Sequence, residues 1–213
     1  MGIRHGLSII TVVLVSIRLL APIEFCFAEK SAFVRHVIDG DTIVLKKGTK
    51  IRYRGINTPE IPHKDTPGEP LGWEATRRNR QLVQGRTVRL VQDDEKRDRF
   101  GRLLAYVFLP DGQMVNEILV REGLAFFCSS EKGSPFSKRL LDAQREAIDA
   151  RRGIWSIPPV KPEPYYVGNS KTLRFHRPSC PYGKKIYKSN RIIFKSRSDA
   201  CKEGFCRCKK CLP

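Results

Sequence analysis

Three short stretches of β-type sequence follow one another between Ala32 and Glu60, joined by brief turn sequences. "AFVRHVI" and "TIVLKK" flank the turn "DGD", and "GTK" leads into "IRYRGI". Residues two apart on a strand share a face, so Arg52 and Arg54 are expected to project together. Pro59 has no N–H to donate to a β-ladder and therefore predicts that the third strand ends close to it.

Strand-like and helical stretches alternate farther along the chain. "GWEATRRNRQLVQG" has helical spacing and is expected to end at Gly85; two helices are also predicted in "QMVNEILVREGLA" and "PFSKRLLDAQREAIDARRGIW". "RTVRLVQ" and "GRLLAYVFL" complete a set of five short strands. The order predicts an α+β fold in which the strands close a small oligonucleotide-binding-type (OB-fold) barrel with packed helices. Hydrophobic residues make up 40% of the chain, enough for a packed core.

The first 28 residues have the features of an export signal. A short basic start precedes an apolar run from Leu7 to Ile17, which is too short to span a bilayer. "CFA" offers small residues at the usual cleavage spacing, so cleavage is predicted after Ala28. These features predict a periplasmic or secreted protein. Arg18 inside the apolar stretch leaves an uncleaved membrane anchor as the alternative.

Positive charge is concentrated at the other end of the chain. The 213 residues include 40 Lys or Arg and 22 Asp or Glu, a formal net charge of +18. Residues 165–213 carry +11 of this, more than half, and follow a Pro-rich linker at 157–164. Such an excess predicts attraction to a polyanion, either nucleic acid or an anionic surface, but does not separate an enzyme from a passive binder.

Three segments in residues 29–156 together resemble the staphylococcal nuclease (thermonuclease) family. They are "VIDGDTIVL", "IRYRGINTPE" and "DRFGRLLAYVF", followed by "MVNEILVREGLA" and a closing helix that ends in "GIW". The resemblance implies a calcium-dependent nuclease acting on DNA, RNA or both with little sequence preference. Hydrolysis of a phosphate diester builds negative charge on its oxygens, so a metal ion, fixed cations and a group that activates water suit this reaction.

The resemblance also implies a role for each matching residue. Asp41, Asn57 and the backbone carbonyl of Thr58 would ligate Ca²⁺, a hard cation that prefers oxygen. Arg52 and Arg102 would clamp the phosphate with their planar guanidinium groups. Glu60 would position or deprotonate the attacking water.

Five further polar or aromatic residues are expected to lie outside the catalytic set. We expect Asp39 to shape its turn and Asp98 to order the loop before Arg102. Arg54 is expected to be a solvated neighbour of the site, and Trp73, like Trp155, a packing residue.

Asn57 departs from the family pattern, which has Asp at this position. The amide offers a neutral oxygen, so metal binding is expected to be weaker. The alternative is a structural role, in which the Asn57 side chain closes the turn. A barrel that has lost catalysis and only binds nucleic acid is therefore an alternative function. A structural or cell-surface module whose basic end meets anionic lipid or wall polymer is a third.

The cysteine-rich end predicts a second metal site. "FHRPSC" and "GFCRCKKC" give His-x3-Cys and Cys-x2-Cys pairs, a usual arrangement for tetrahedral zinc. Residues 165–213 resemble the small zinc-binding domain of the Ada DNA-repair family, which implies four zinc ligands: His176, Cys180, Cys208 and Cys211. His176 stands where that family has its methyl-accepting cysteine, which argues against methyl transfer.

Disulfides are the competing interpretation of the cysteines. Cleavage after Ala28 leaves six cysteines, an even number, and an oxidising exterior favours bridges. No protein partner is evident, and a monomer is expected.

Overall fold

The computed structural model describes residue 2 and residues 28–64, 67–92, 97–128, 134–159 and 161–213. The predicted signal peptide lies outside the described residues except for Gly2 and Ala28. Within the described part of the chain, no helix has the length and apolar character needed to cross a membrane.

The first part of the chain contains seven strands and three α-helices among its described residues. The strands are β1 (Ala28–Asp39), β2 (Thr42–Leu45), β3 (Lys50–Tyr53), β4 (Ile56–Asn57), β5 (Thr87–Gln92), β6 (Leu103–Phe108) and β7 (Phe126–Phe127). The helices are α1 (Gly72–Val83), α2 (Val115–Arg121) and α3 (Ser137–Asp149). A short 3-10 helix at Gly153–Trp155 follows α3.

Five of these strands close a barrel in the order β1-β2-β3-β6-β5, which confirms the predicted fold class. The long β1 pairs with both β2 and β5, so one strand forms two sides of the barrel. β3 and β6 pair in parallel, and this brings Arg52 opposite Leu104. Ile51 and Tyr53 are almost fully buried, so the alternation along β3 directs Arg52 away from the core.

The end of α1 agrees with the sequence prediction, but α3 ends at Asp149, and the predicted end of that helix, "GIW", forms a separate 3-10 helix. Gly85 adopts a positive φ of 72° directly after α1, a conformation that favours glycine. From α1, Asn79 accepts a 2.7 Å hydrogen bond from the Tyr53 hydroxyl and thereby joins the helix to the barrel wall. α2 is shorter than its predicted stretch and ends at Arg121.

Two predictions about individual side chains are wrong. Arg54 follows the end of β3 and is only 7% exposed, so it is not a solvated neighbour projecting beside Arg52. Its backbone N–H donates to the carbonyl of Ala105, and its carbonyl accepts from Asn116. Trp73 is 58% exposed near the start of α1 rather than packed, whereas Trp155 is buried as expected.

Residues 165–213, the C-terminal segment, form a second sheet with two short helices. The strands are β8 (Tyr166–Asn169), β9 (Arg174–His176), β10 (Arg191–Phe194) and β11 (Cys206–Arg207), in the order β10-β8-β9-β11. The helices are α4 (Pro181–Lys184) and α5 (Arg197–Lys202). The described residues of the predicted linker, 157–159 and 161–164, contain no helix or strand.

The C-terminal segment shares a hydrophobic core with the helices beside the barrel. Phe126 and Trp155 belong to the same buried cluster as Phe175, Phe194 and Phe205. The C-terminal segment therefore packs directly against the part of the chain that contains the barrel.

Polar and covalent links reinforce this interface. The fully buried side chain of Gln144 accepts from the Phe127 N–H at 2.8 Å and donates to the Cys201 carbonyl at 2.7 Å. A disulfide between Cys128 and Cys206 ties the end of β7 to β11. The two parts of the chain thus form one packed body.

Candidate active site and metal centre

Asp41 lies in the tight turn between β1 and β2. Its N–H donates to the Asp39 carboxylate at 3.0 Å, so Asp39 shapes the turn as predicted. Gly40 is required by the close approach of a second segment, because a Cβ there would lie 2.7 Å from the Thr58 side chain. Burial, and then the neighbouring Asp41 carboxylate, raise the pKa of Asp39 to about 6.

The Asp41 carboxylate binds the segment that follows β4. Oδ2 accepts hydrogen bonds from the N–H of Thr58 at 2.8 Å and from its hydroxyl at 3.0 Å. Oδ1 accepts a longer bond of 3.3 Å from the Thr42 hydroxyl. Only 5% of Asp41 is exposed, so these bonds compensate a carboxylate that has lost most of its water.

Arg52 bridges two of the three predicted calcium ligands. Its NH2 group lies 2.9 Å from Asp41 Oδ2 and donates to Asn57 Oδ1 at 3.0 Å. Its NH1 group donates to the Tyr53 carbonyl at 3.0 Å, which fixes the plane of the guanidinium. Asn57 lies in β4, paired with Phe126, rather than in an isolated turn.

The oxygen atoms around this guanidinium fit a hard cation. Asn57 Nδ2 donates to the Thr58 carbonyl at 3.2 Å, so Asn57 Oδ1, the Thr58 carbonyl and the Asp41 carboxylate belong to one cluster. Carboxylate, amide and carbonyl oxygens are the ligands that Ca²⁺ takes in proteins. The set holds a single carboxylate, and Arg52 already neutralises part of its charge, so the cluster is a weaker cation site than one with two carboxylates.

Glu60 is exposed at the start of the loop that leads to α1. Its N–H donates to the Glu69 carboxylate at 3.0 Å, and its carbonyl accepts from the Glu69 N–H at 2.8 Å. Gly72 must lack a side chain, since a Cβ there would lie 2.5 Å from the Glu60 carbonyl oxygen. The backbone of Glu60 is therefore held, while its carboxylate stays open to solvent.

Asp98 orders the loop before Arg102, as the sequence predicts, and also orients the Arg102 side chain. Nε and NH2 lie 2.8 and 2.7 Å from Asp98 Oδ2, and Oδ1 accepts from the N–H groups of Phe100 and Arg102. Burial acts to raise the pKa of Asp98, but the hydrogen bonds from Arg102 outweigh this effect and lower the pKa. NH1 of Arg102 reaches 3.5 Å from the Thr42 hydroxyl, which itself contacts Asp41.

Arg52, Asn57 and Arg102 line a common cleft of about 200 Å³. Its other wall belongs to the C-terminal segment and includes Arg174, Cys206 and Lys209. Sequence reasoning missed this wall, and the even number of cysteines was the one feature that hinted at a link between the two parts. Partial burial, and then the positive charge of Arg52, lower the pKa of Lys209, whereas the negative charges of Glu60 and Asp41 act to raise it.

The four predicted zinc ligands come together at one point of the C-terminal segment. The ligand atoms of His176, Cys180, Cys208 and Cys211 all lie within 4.8 Å of one another. Cys180 Sγ is 3.5 Å from His176 Nδ1, and backbone N–H groups of Arg177 and Lys210 point at the sulfurs of Cys211 and Cys208. Three sulfurs and one imidazole nitrogen at this spacing fit tetrahedral Zn²⁺.

In the absence of metal, the acid–base properties of His176 and Cys180 favour the metal-binding forms, whereas those of Cys211 favour the neutral thiol. Burial, and then the charge of Arg174, lower the pKa of His176 and favour the neutral imidazole that ligates metal. Burial raises the pKa of Cys211 to about 12. Burial also acts to raise the pKa of Cys180, but hydrogen bonds from the backbone N–H groups of Gly183 and Tyr182 outweigh this effect and lower the pKa of Cys180.

The remaining cysteines divide between a disulfide and a buried thiol. Cys128 and Cys206 form the bridge between the two parts of the chain, so the disulfide interpretation applies to this pair. Cys201 is 1% exposed, and burial raises its pKa to about 12, which marks it as an unreactive core residue. The His176 cluster stays separate from both.

Comparison with known protein families identifies relatives of the barrel region. Residues 50–157, half of the chain, match the family described as staphylococcal nuclease homologue. The chain belongs to the staphylococcal nuclease family. The matched region contains Arg52, Asn57, Thr58, Glu60 and Arg102. It ends before the C-terminal segment, whose resemblance to the Ada zinc domain stays a prediction.

Three individual proteins are 37–38% identical to this chain over 56–60% of its length. The chain is 38% identical over 131 residues to the thermonuclease of Staphylococcus hyicus, covering 60% of this chain and 77% of that protein. It is 37% identical over 132 residues to the thermonuclease of Staphylococcus intermedius, covering 59% and 76% respectively. Endonuclease YncB of Bacillus subtilis (strain 168) is 38% identical over 124 residues, covering 56% of this chain and 58% of that protein.

Proposed function

We propose that this protein is an exported, calcium-dependent nuclease that hydrolyses phosphodiester bonds of DNA, RNA or both with little sequence preference. The observation that carries the proposal is the convergence of Arg52, Arg102 and the Asp41–Asn57–Thr58 oxygen cluster on one face of the barrel. Relatives named thermonuclease and endonuclease support the same reaction class.

Arg52 and Arg102 bind the phosphate that is attacked. Both are already oriented by carboxylates, Arg52 by Asp41 and Arg102 by Asp98, so little side-chain freedom is lost when substrate binds. Their fixed positive charges stabilise the negative charge that grows on the phosphate oxygens. Because an arginine stays protonated at neutral pH, its contribution is electrostatic rather than proton transfer.

Glu60 accepts a proton from the attacking water or orients that water. Its exposed carboxylate can reach solvent, while two hydrogen bonds between the Glu60 backbone and Glu69 hold that backbone in place. A carboxylate held near substrate is a suitable general base.

Asp41, Asn57 and the Thr58 carbonyl would hold the calcium ion. When bound, the ion would supply positive charge that polarises the phosphate oxygens. The roles of Arg52 and Glu60 do not change with the weaker ligand at position 57. The amide there favours one second candidate, a barrel that binds nucleic acid without cutting it.

The C-terminal segment strengthens attachment to the polyanion. Its net charge of +11 attracts phosphates irrespective of base sequence. Zn²⁺ held by His176, Cys180, Cys208 and Cys211 would stabilise this small, strongly basic fold.

Export through residues 1–28 is part of the proposal. A disulfide between Cys128 and Cys206 suits an oxidising compartment outside the cytosol. Retention by an uncleaved anchor is the alternative, and mass measurement of the protein purified from its native cell envelope and medium distinguishes the two.

A calcium titration tests the proposed activity. Residues 29–213 are incubated with single-stranded DNA and with RNA across a calcium series, with a chelator as the zero point. Cleavage that rises with calcium supports the nuclease. Salt-sensitive binding of DNA without cleavage at any calcium concentration would instead support the passive binder, and binding to anionic vesicles alone would support a surface module.

A further inference from the structure

Two cations of the C-terminal segment face the proposed nuclease site. Arg174 and Lys209 line the same cleft as Arg52 and Arg102. They come from residues beyond the family match, which ends at residue 157. The cleft is therefore built from two parts of the chain.

Lys209 is presented by the loop between Cys208 and Cys211. The Cys208 N–H donates to the Phe175 carbonyl at 3.0 Å, and the Lys210 N–H points at Cys208 Sγ, so the backbone on both sides is held. Lys209 itself lines the cleft together with Arg52, Asn57 and Arg102 of the barrel.

Arg174 is fixed by the edge of the second sheet. β9 and β11 pair in parallel, with Arg174 opposite Cys206. Its NH1 group donates to the Arg207 carbonyl at 3.3 Å and lies 3.7 Å from Cys206 Sγ. The disulfide of Cys206 with Cys128 holds this strand against the barrel.

The cleft contains more positive than negative charge, which favours binding of an additional anion. Arg52 and Arg102 are each paired with a carboxylate, Asp41 and Asp98 respectively. Neither Arg174 nor Lys209 forms an ion pair with a carboxylate of the described residues. Concentrated positive charge in a narrow cleft attracts phosphate groups and is unfavourable when none is bound.

We propose that Arg174 and Lys209 form a second phosphate subsite, which binds a phosphate next to the scissile one in a single-stranded nucleic acid. The subsite rests on the proposed nuclease function, because the scissile phosphate is assigned to Arg52 and Arg102. The C-terminal segment is thus part of the substrate cleft as well as a general electrostatic anchor.

The test compares Lys209→Gln with Lys210→Gln. Both changes remove one positive charge from an exposed lysine of the same loop, but only Lys209 lines the cleft. Arg174→Gln is the second cleft variant, and Arg174→Lys retains its charge. Circular dichroism and zinc content establish that each variant is folded.

Two substrates isolate the subsite. One is a single-stranded DNA oligonucleotide, and the other is a dinucleotide with a single phosphodiester bond and no flanking phosphate. Loss of one charge-assisted hydrogen bond should raise KM for the oligonucleotide about tenfold in Lys209→Gln and in Arg174→Gln. The value of kcat should change little, and kinetics on the dinucleotide should match the parent protein.

Oligonucleotide binding by fluorescence anisotropy tests the subsite independently of cleavage. Lys209→Gln should weaken binding and reduce the salt slope by about one ion, and Lys210→Gln should have a clearly smaller effect. Equal effects of the two lysine changes would overturn the subsite, as would equal losses on both substrates or faster cleavage by Lys209→Gln. Absence of cleavage by the parent protein would reject the proposed function alone, since the binding comparison would still decide the subsite.

Discussion

Arg207 forms a two-point ion pair with Glu69 and thereby joins β11 to the loop that carries Glu60. NH1 and NH2 of Arg207 lie 2.8 and 2.5 Å from the two carboxylate oxygens, and the side chains are only 12% and 16% exposed. Glu69 Oε2 also accepts the Glu60 N–H. A continuous set of hydrogen bonds therefore links the C-terminal segment to the proposed water-activating residue.

Replacing Arg207 should slow the reaction without abolishing substrate binding. In Arg207→Gln, Glu69 loses its two-point partner and the Glu60 loop loses one of its supports. Misplacement of a catalytic group by about 1 Å can cost roughly a hundredfold, so we expect kcat to fall by about tenfold or more. Oligonucleotide affinity should fall much less.

Arg145→Gln is a matched control for this change. Arg145 is exposed and also donates to the C-terminal segment, at the Lys202 carbonyl, but it has no bond to the described residues of the Glu60 loop. Its kcat should equal that of the parent protein. Equal kcat values for Arg207→Gln and the parent would show that the ion pair does not position Glu60.

Asn57→Asp should lower the calcium concentration required for half-maximal cleavage. A carboxylate at this position adds a second negative charge beside Asp41, and calcium affinity rises with the charge of its ligands. Arg52, 3.0 Å from Asn57 Oδ1, would then face two carboxylates and offset part of the gain. Without calcium the two carboxylates repel, so the variant should melt slightly earlier than the parent.

Calcium dependence of cleavage and thermal unfolding of the metal-free proteins measure these two effects. An unchanged or higher calcium requirement would indicate that Asn57 does not face the ion. Asn116→Asp is unsuitable as a control, because Asn116 is fully buried and bonds two backbone groups.

Loss of the Cys128–Cys206 disulfide should reduce thermal stability. The bridge spans 78 residues, and the chain-entropy model assigns a loop of this size about 4 kcal/mol. For a chain of this length the corresponding fall in melting temperature is roughly 10 °C. Calorimetry of the double variant Cys128→Ser, Cys206→Ser measures it, with unchanged zinc content as the control, and an unaltered melting temperature would contradict it.

Purified protein should contain about one zinc ion per chain, bound by the His176 cluster. His176→Ala removes one of four ligands and should lower zinc content and melting temperature together. Cys201→Ser lies outside the cluster and should retain the ion. Metal analysis and thiol titration of the same samples measure both, and a metal-free protein with oxidised Cys180, Cys208 and Cys211 would favour disulfides instead.

Much of the barrel could be predicted from the sequence because its determinants are local. Alternation around Ile51 and Tyr53, the turn at Gly40 and the stop at Gly85 each depend on a few adjacent residues. The cluster of Asp41, Asn57 and Arg52 followed from the family resemblance, and the geometry brings these residues together.

Contacts between distant parts of the chain could not be predicted from the sequence. Glu69 and Arg207 are 138 residues apart, and neither has a sequence context that marks a partner. The prediction for Arg54 is wrong because β3 ends at Tyr53, so strand alternation does not extend to residue 54. Residue type alone predicts a packing role for Trp73, whereas its position near the start of α1 leaves it exposed.

Cleavage by Glu60→Gln at saturating calcium tests the central claim most directly. The substitution keeps the size of the side chain and removes the carboxylate that would activate water. Single-turnover cleavage of single-stranded DNA should slow by about a hundredfold or more, while anisotropy of the same preparation shows undiminished DNA binding. Cleavage at the parent rate by a folded Glu60→Gln protein would contradict the proposed active site.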